Sequence, residues 1–407
     1  MKLLFLLAAS LGAQTLEVTP RVAMDDPAMI RATGLTPGER VTIHAELVDG
    51  GGQRWTSQAE FVAGAAGDVD TAKQAPVSGS YKEISPMGLV WSMMPAAKNV
   101  PAYQPMRDLG PQAIDLRITR KTGEPLTARL EQVAIAEGVQ RIPVHDGALR
   151  GIFFVPPGAE RHPGVLVLGG SNGGLPARQA AWLASRGFAA LALAYFRYQD
   201  LPPQLEQIPL EYFDRALTWM AARREITPGK LAVMGTSRGG ELALQLGSMF
   251  PAISAVVAYV PADVRWAACC RMNGAPAWTW KGQPLPYVVP RAMNAPRGDA
   301  AIQVEKTHGP ILMISGEADH VWRSWEMADN VAGRLKRAHF AYSFQNLKYP
   351  HAGHSSGRPG FQPTWHGEVR NPTSGRELDL GGSPKGDAES TIDSMPKVLD
   401  FLRSALQ

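Results

Sequence analysis

The sequence GTSRG at residues 235–239 constrains the fold of this chain more than any other segment. It matches the pattern GxSxG, and it lies between a short apolar run at residues 231–234 and a longer, largely apolar run at residues 241–250. In this setting the pattern predicts a tight turn from a strand into a helix, in which small residues permit the reversal and the serine is exposed above the helix N-terminus. We therefore predict that Ser237 is a nucleophile at the carboxyl end of a strand.

A serine nucleophile needs a base and a carboxylate that orients the base, and in α/β-hydrolases these follow in the chain order Ser, Asp, His. Asp319 follows a predicted buried strand at residues 310–315, and His354 follows a predicted strand at residues 342–348. Both lie just past strand ends, on the edge where open α/β sheets assemble their sites. We therefore predict Asp319 as the orienting carboxylate and His354 as the base.

Two other carboxylates are alternatives to Asp319. Glu317 lies in the same loop, and Asp263 follows an earlier predicted strand at residues 253–260. We prefer Asp319 because its strand directly precedes the histidine strand, which shortens the distance that the loop has to cover.

His351 and His320 are the alternatives to His354 as the base. We prefer His354 because the neighbouring Gly353 leaves the loop free to aim the imidazole ring, whereas Pro350 restricts His351.

The glycine-rich sequence GGSNGG at residues 169–174 directly follows an apolar run, residues 165–168, that is typical of a buried parallel strand. We predict that a backbone N–H of Gly170 or Ser171, together with the N–H of Arg238, forms an oxyanion hole. A simple tight turn is the alternative role for this loop. A phosphate-binding loop is excluded because the chain has no GxxxxGK[ST] sequence.

The Arg238 side chain has two interpretations, contact with an anionic part of a substrate or a solvated surface position, and we prefer the solvated position.

The overall charge and the spacing of possible metal ligands bear on the partners of this chain. The 41 basic and 37 acidic residues give a formal net charge of only +4, spread along the chain, which argues against a nucleic-acid partner. No Cys or His cluster has zinc-ligand spacing, so we predict neither a metal nor a cofactor.

Residues 1–13 have one lysine, a short apolar core and small residues at their end, and this pattern predicts a signal for export to the periplasm or the medium. The run is too short to span a bilayer, so no stable membrane anchor is predicted. The alternative is an N-terminal strand of a cytoplasmic protein.

Two patterns of hydrophobicity divide the remaining chain. Residues 16–144 alternate short apolar stretches with turn sequences, which predicts an all-β sandwich. Residues 147–407 alternate strand-like and helix-like stretches, which predicts a doubly wound, mostly parallel sheet. An irregular stretch at residues 261–309 interrupts the second pattern. Its residues Trp266, Trp278 and Trp280 either line an acyl pocket or fasten the stretch to the domain surface.

Several short motifs occur together in an order that resembles one family, that of the acyl-CoA thioesterases and bile acid-CoA:amino acid N-acyltransferases. Besides the GxSxG turn, these are GLTPG at residues 34–38, WTSQA at 55–59, GSY at 79–81, PMGLVWSM at 86–93, GGS at 169–171, AYF at 194–196, LEYF at 210–213, SGEAD at 315–319 and AGH at 352–354. They extend over nearly the whole chain.

The resemblance implies an immunoglobulin-like domain followed by an α/β-hydrolase domain, with Ser237, Asp319 and His354 at the positions of the family's catalytic triad. It also implies a small-molecule acyl thioester as substrate. Members carry Cys or Ser as nucleophile, and Ser is associated with hydrolysis, so we expect a thioester hydrolase. Cleavage of another exported ester, acyl transfer to an amino acid, and a non-catalytic binding module are the alternatives. The oligomeric state is not predicted.

Overall fold

A computed structural model describes residues 13–98, 100–269, 274–289, 298–367, 369–371 and 375–407. The chain forms two compact units. The first runs through Val133 and includes Phe361–Trp365, and the second comprises Ala134–Gly360 and His366–Gln407. Nearly all of the segment predicted as an export signal, residues 1–12, lies outside the described residues.

The first unit is built mainly from β-strands. They are β1 (Thr15–Val18), β2 (Arg21–Ala23), β3 (Ile30–Thr33), β4 (Arg40–Val48), β5 (Arg54–Val62), β6 (Val69–Asp70), β7 (Ser78–Gly79), β8 (Met94–Pro95), β9 (Gln112–Arg120) and β10 (Leu126–Val133). One sheet has the order β1-β3-β6, and the other has the order β2-β10-β9-β4-β5-β7, with β8 also paired to β5. A short helix, α1 (Gly88–Trp91), lies between β7 and β8. The prediction of an all-β first domain is confirmed, and its immunoglobulin-like topology stays a prediction.

Alternation of side chains explains why these segments form half-buried strands. In β4 every second residue is buried, and β5 and β9 show the same pattern. Successive side chains of a strand point to opposite faces, so this pattern places one apolar face inside and one polar face outside. The inward residues include Val41, Ile43, Trp55, Phe61 and Ile118.

A buried aspartate organises the turn that joins β4 to β5. Asp49 accepts hydrogen bonds from the indole N–H of Trp55 at 3.0 Å and from the backbone N–H groups of Gly51 and Gln53, both at 2.9 Å. It also accepts the backbone N–H of Gln104 at 3.1 Å. One carboxylate therefore fixes the hairpin turn and joins it to a distant loop.

The second unit contains an eight-stranded sheet, and its strand order confirms the α/β-hydrolase prediction. The strands are β11 (Gln140–Asp146), β12 (Leu149–Val155), β13 (His162–Leu168), β14 (Ala189–Ala194), β16 (Ile226–Thr236), β17 (Ala255–Tyr259), β20 (Ile311–Gly316) and β21 (Phe344–Tyr349). Their order in the sheet is β11-β12-β14-β13-β16-β17-β20-β21. The pairs of β12 with β11 and with β14 are antiparallel, whereas the remaining strands are parallel.

Helices connect most of the parallel strands, as the alternating sequence pattern predicts, and one more helix follows the last strand of the sheet. They are α2 (Ala177–Ser185), α3 (Glu211–Ala221), α4 (Arg238–Met249), α5 (Ser324–Arg337) and α6 (Pro384–Ala405). The strands that pack between them are buried almost throughout, because helices cover both faces of a parallel sheet. Among the described residues no helix is long and apolar enough to cross a membrane.

The boundary between the units falls earlier than the predicted change at residues 144–147. The first unit ends at Val133, and β11 belongs to the second unit. The reason is that β11 and β12 pair along their whole length, from Asp146 with Leu149 to Gln140 with Val155. An edge hairpin of the second sheet has the same alternating sequence pattern as the all-β unit, so the pattern alone does not mark this boundary.

The irregular stretch at residues 261–309 is only partly irregular. It contributes β18 (Trp278–Trp280) and β19 (Gln283–Pro284), which form a small sheet with β15 (Ile208–Pro209). Two short 3-10 helices follow at Gly298–Ala300 and Val304–Lys306. Farther along the chain, β22 (Val369–Arg370) and β23 (Glu377–Leu378) pair near the start of α6.

The contacts of Asp49 predict a large loss of stability in the first unit when this carboxylate is removed. Asp49→Ala leaves four donors near the turn without their acceptor, and we expect it to cost about 2–4 kcal/mol of unfolding free energy. Denaturant unfolding followed by tryptophan fluorescence measures this. Asp115→Ala is the control, because Asp115 forms an exposed ion pair with Arg129 and its loss should cost less than about 1 kcal/mol. Equal costs for the two variants would contradict the prediction.

Candidate active site

Ser237 lies in the sharp turn between β16 and α4, as the GxSxG pattern predicts. Its backbone angles, φ 59° and ψ −119°, are outside the regions that non-glycine residues favour. Two hydrogen bonds fix this conformation: the Ser237 N–H donates to the Tyr259 carbonyl at 2.9 Å, and the Ser237 carbonyl accepts the Glu241 N–H at 3.0 Å. The turn therefore presents the serine hydroxyl at the carboxyl end of the sheet.

Both glycines of the pattern are required by close backbone approach. A Cβ on Gly235 would lie 2.0 Å from the Gly239 carbonyl oxygen. A Cβ on Gly239 would lie 2.4 Å from the Gly169 oxygen and 2.6 Å from the Leu168 oxygen. The second contact joins the turn to the glycine-rich loop, so the two motifs that the sequence analysis separates are adjacent in space.

The structure brings Ser237, His354 and Asp319 into one hydrogen-bonded line. His354 Nε2 is 2.9 Å from Ser237 Oγ, and His354 Nδ1 is 2.8 Å from Asp319 Oδ2. The His354 side chain is 11% exposed and that of Asp319 is fully buried. With the carboxylate accepting Nδ1–H, a neutral imidazole has Nε2 free to accept the serine proton. This is the arrangement that activates a serine hydroxyl.

Asp319 is fixed by donors that the sequence analysis did not identify. Its Oδ1 accepts the backbone N–H groups of Val321 at 3.0 Å and Trp322 at 3.3 Å. Its Oδ2 accepts the hydroxyl of Ser324 at 2.7 Å, and Ser324 is itself fully buried. A polar residue within a few positions of Asp319 is a weak sequence signal, because such residues are common in loops.

The alternative residues make other contacts. Glu317 is 3.5 Å from the Lys348 ammonium group, and His320 is 2.8 Å from Asp379 in an exposed pair. His351 contributes its backbone carbonyl, which accepts the Ser383 N–H at 2.9 Å. Asp263 is buried, but the carboxylate oxygen at His354 belongs to Asp319.

The predicted oxyanion loop lies close to Ser237. A Cβ on Gly170 would lie 3.2 Å from Ser237 Cβ, so the backbone of this glycine is close to the serine. The Tyr195 hydroxyl donates to the Gly169 carbonyl at 2.5 Å, and the Asn371 side chain donates to Ser171 Oγ at 3.1 Å. These bonds anchor the loop from both sides.

Arg238 is the first residue of α4, so its N–H has no acceptor within the helix and can point toward an oxyanion. Its side chain contradicts the preferred interpretation of a solvated arginine, because Arg238 is only 5% exposed. The guanidinium Nε lies 3.3 Å from Glu241 Oε2, and Nη2 donates to the Trp266 carbonyl at 3.1 Å. The distant chain segment that contacts this arginine could not be read from the local sequence.

The three predicted pocket tryptophans occupy different environments. Trp278 is 1% exposed, and its indole N–H donates to Glu241 Oε1 at 2.8 Å. Trp280 packs against the ring of Phe250. Trp266 alone belongs to an aromatic group beside His354, because it stacks on Trp322 at 6.4 Å.

Trp322 is a neighbour of the imidazole that the sequence analysis did not identify. Its ring meets the His354 ring edge to face at 5.7 Å, with an interplanar angle of 74°. Its indole N–H donates to the Val260 carbonyl at 3.0 Å, which fixes the ring against the end of β17. Apolar surface therefore lies directly beside the candidate base.

A second buried aspartate holds the loop that carries His354. Asp387, in the first turn of α6, is 2% exposed and accepts the backbone N–H of Gly353 at 2.8 Å. Its other oxygen is 2.6 Å from His366 Nε2. The His354 N–H donates to the Leu380 carbonyl at 2.8 Å. The backbone N–H groups of Gly353 and His354 are therefore both hydrogen-bonded, which fixes the backbone that carries the His354 ring.

Within the described ranges, no group of three or more His, Cys, Asp or Glu side chains is arranged to hold a metal ion.

Two family regions match this chain. Residues 25–146 match the acyl-CoA thioester hydrolase/BAAT N-terminal region, and residues 208–407 match the BAAT/acyl-CoA thioester hydrolase C-terminal region. Acyl-coenzyme A thioesterase 1 of Rattus norvegicus is 31% identical over 409 residues, covering 96% of this chain and 96% of the rat protein. Mitochondrial acyl-coenzyme A thioesterase 2 of Mus musculus is 30% identical over 424 residues, covering 96% of this chain and 89% of the mouse protein.

Solved structures with a similar fold include a puromycin-hydrolyzing peptidase of Mycobacterium tuberculosis. The TM-score is 0.46 at 14% identity, over 92% of this chain and 54% of that chain. A second is 2,6-dihydroxy-pseudo-oxynicotine hydrolase, with a TM-score of 0.41 at 13% identity, over 66% of this chain and 68% of that chain. Strand order and crossovers, rather than these similarities, define the fold of the second unit.

The prediction that residues 1–13 direct export is wrong. Relatives that align over 96% of this chain, from mouse and human, are named mitochondrial acyl-coenzyme A thioesterases. The physical reason for the error is that a short apolar run behind one positive charge is a weak signal, because an N-terminal strand has the same composition.

The close approach at Gly239 predicts that a single added methyl group disables the serine. Gly239→Ala should displace the glycine-rich loop or the turn, and we expect the rate of Ser237 labelling by a fluorophosphonate to fall on the order of a hundredfold. Gly333→Ala in α5 is the matched control, since its Cβ would meet only the end of the Arg337 side chain, at 3.4 Å. Labelling of Gly239→Ala at the wild-type rate would contradict this account of the turn.

The bonds of Asp387 predict that it positions His354 from outside the triad. Asp387→Ala should lower the labelling rate of Ser237 about tenfold or more, because the loop loses the acceptor of the Gly353 N–H. Asp387→Asn retains an acceptor and should lose much less. Asp400→Ala, at an exposed position of the same helix, is the control. Equal labelling rates for Asp387→Ala and Asp400→Ala, both folded by circular dichroism, would refute the positioning role.

Proposed function

The chain belongs to the acyl-CoA thioester hydrolase/BAAT family, and we propose that it hydrolyses acyl-CoA thioesters through an acyl-serine intermediate on Ser237. The observation that carries this proposal is the continuous line of hydrogen bonds from Ser237 through His354 to Asp319. A thioester carbon is a good electrophile for a serine activated in this way.

In the first step, His354 Nε2 accepts the proton of Ser237 Oγ while Oγ forms a bond to the thioester carbonyl carbon. Asp319 stabilises the imidazolium that results and keeps Nδ1–H in place. The carbonyl π electrons move onto oxygen. The N–H of Arg238 and an N–H of Gly170 or Ser171 are the donors proposed for this oxyanion.

In the second step, the tetrahedral intermediate collapses and the C–S bond breaks. The departing thiolate takes the proton from His354, which releases free thiol and leaves an acyl group on Ser237. Water then attacks the acyl carbon while His354 accepts its proton. The C–Oγ bond breaks, Ser237 recovers the proton, and the free acid leaves.

The position of Trp266 supports an acyl site beside His354. An acyl carbon bonded to Ser237 Oγ lies within a few ångströms of the imidazole ring, because Oγ and Nε2 are 2.9 Å apart. Trp322 and Trp266 provide apolar surface on that side. Trp278 has no such role in this conformation, since it is almost fully buried and bonded to Glu241.

Hydrolysis is favoured over amide transfer because the nucleophile is serine, which the family resemblance associates with hydrolysis. The case for a different, exported ester as substrate depended on the export prediction, and that prediction is wrong. An inert binding module is disfavoured because the line of contacts from the serine to the buried carboxylate is complete.

Thiol release from a long-chain acyl-CoA tests the proposal. Ser237→Ala should lower the rate at least about a thousandfold, because neither other triad residue replaces the nucleophile. Ser248→Ala, at the far end of the same helix, should retain wild-type activity, since within the described ranges its hydroxyl bonds to Gln245, one turn earlier, and to no other residue. Near-wild-type activity in Ser237→Ala would rule out the assigned nucleophile.

Product analysis separates the remaining alternatives. With glycine or taurine present, the expected product is free acid, and an amide as the main product would establish acyl transfer instead. Rapid cleavage of simple esters with no cleavage of acyl-CoA would establish a carboxylesterase. Failure of a fluorophosphonate to label folded wild-type protein would favour the binding module.

A further inference from the structure

A buried ion pair follows the serine within one turn of α4. Arg238 is 5% exposed and Glu241 is fully buried, and their charged groups approach to 3.3 Å. Burial raises the pKa of Glu241, and the charge of Arg238 opposes this shift. A buried pair of this kind is costly unless both partners make further polar contacts. The contacts that these two residues make therefore indicate what the pair does.

Arg238 and Glu241 together bind both backbone polar groups of a single distant residue, Trp266. Arg238 Nη2 donates to the Trp266 carbonyl at 3.1 Å, and the Trp266 N–H donates to Glu241 Oε1 at 3.4 Å. The same carboxylate oxygen accepts the indole N–H of Trp278 at 2.8 Å. Because α4 begins directly after Ser237, this clamp fixes Trp266 relative to the nucleophile.

A second hydrogen bond holds the preceding residue of the stretch, Arg265, to the same helix. Arg265 Nη1 donates to Gln245 Oε1 at 2.8 Å, and Gln245 lies one turn beyond Glu241. Arg265 Nε donates to the Pro286 carbonyl at 2.8 Å. The side chains of Arg238, Glu241 and Gln245 thus form one polar stripe that anchors the chain around residues 265–266.

The ring of the clamped residue continues toward the candidate base. Trp266 stacks on Trp322 with an interplanar angle of 21°, and Trp322 meets the His354 ring edge to face. The pair packs in one cluster with the buried apolar side chains of Val264, Val288 and Met327. The stacked pair is therefore an apolar wall whose position depends on the clamp.

We propose that Arg238 and Glu241 are positioning residues that place the Trp266–Trp322 wall and thereby set the acyl-chain selectivity of the enzyme. This inference rests on the proposed function, and it excludes a role for the Arg238 side chain in binding an anionic part of the substrate, because its guanidinium is buried, ion-paired with Glu241 and hydrogen-bonded to the Trp266 carbonyl. Neither side chain contacts the reacting atoms. Loss of the clamp acts on a long acyl chain, which extends along the wall, and leaves a two-carbon acyl group almost unaffected.

The test measures kcat and KM for acyl groups of two to sixteen carbons, as CoA thioesters and in parallel as p-nitrophenyl esters, in Arg238→Met and Glu241→Gln. For the longest chains relative to acetyl, we expect kcat/KM to fall about tenfold to a hundredfold in both variants, mainly through KM, and in Glu241→Gln the acetyl substrates should change little. In Glu241→Gln, fluorophosphonate labelling of Ser237 should remain near the wild-type rate, which shows that the triad is intact.

Arg403→Met is the matched control, because Arg403 forms an i,i+3 pair with Asp400 on the exposed side of α6. It should leave the selectivity profile unchanged. The double variant R238M/E241L removes both charges, and it should recover thermal stability relative to Arg238→Met while the long-chain preference stays lost. This outcome separates positioning from a simple contribution to stability.

The proposal is overturned if the variants lose activity equally on short and long chains, or if the ratio of long-chain to acetyl activity stays at the wild-type value. If Arg238→Met does not fold, Glu241→Gln decides, because it keeps an acceptor for the Trp278 indole. If the wild type cleaves the esters and no CoA thioester, the proposed function fails, and the ester series still tests the clamp.

Discussion

The reversal of the chain at Ser237 is the constraint on which the geometry of the site depends. A serine at φ 59° and ψ −119° costs on the order of 1–3 kcal/mol, and such a conformation persists only where its surroundings over-determine it. Three contacts fix the conformation of Ser237. They are the hydrogen bond to the Tyr259 carbonyl, the hydrogen bond from the Glu241 N–H, and the contact of Gly239 with the glycine-rich loop. The same reversal starts α4 at Arg238, so the proposed nucleophile, the proposed oxyanion donor and the residues that bind Trp266 belong to one short segment.

Three buried carboxylates hold the irregular segments that surround this turn. Asp319 binds its own loop and His354, Asp387 binds the backbone before His354, and Glu241 binds Trp266 and Trp278. An ionised carboxylate accepts several N–H groups at once, and such charge-assisted bonds are stronger than neutral ones. Segments without a ladder of backbone hydrogen bonds can be ordered in this way.

The local sequence is sufficient to predict the turn at Ser237 and the buried strands of the second unit. The turn at Ser237 requires glycines at fixed positions, and buried parallel strands require apolar runs, so the sequence predicts the strands that precede Asp319 and His354. The burial of Arg238 could not be predicted in this way, because it depends on contacts with Trp266, a residue far along the chain. The environments of Trp278 and Trp266 could not be predicted either, because the two residues differ in their packing rather than in their sequence context.

The topology of the sheet explains why Trp266 can reach the first turn of α4 at all. The stretch at residues 261–309 leaves the sheet at the end of β17, the strand that pairs directly with β16. A Cβ on Gly240 would lie 2.7 Å from the Tyr259 oxygen and 3.4 Å from Pro261 Cα, so the stretch begins in contact with α4. Only a few residues separate this contact from Trp266. Because the stretch starts beside the first turn of α4, the side chains of Arg238 and Glu241 can reach the backbone of Trp266.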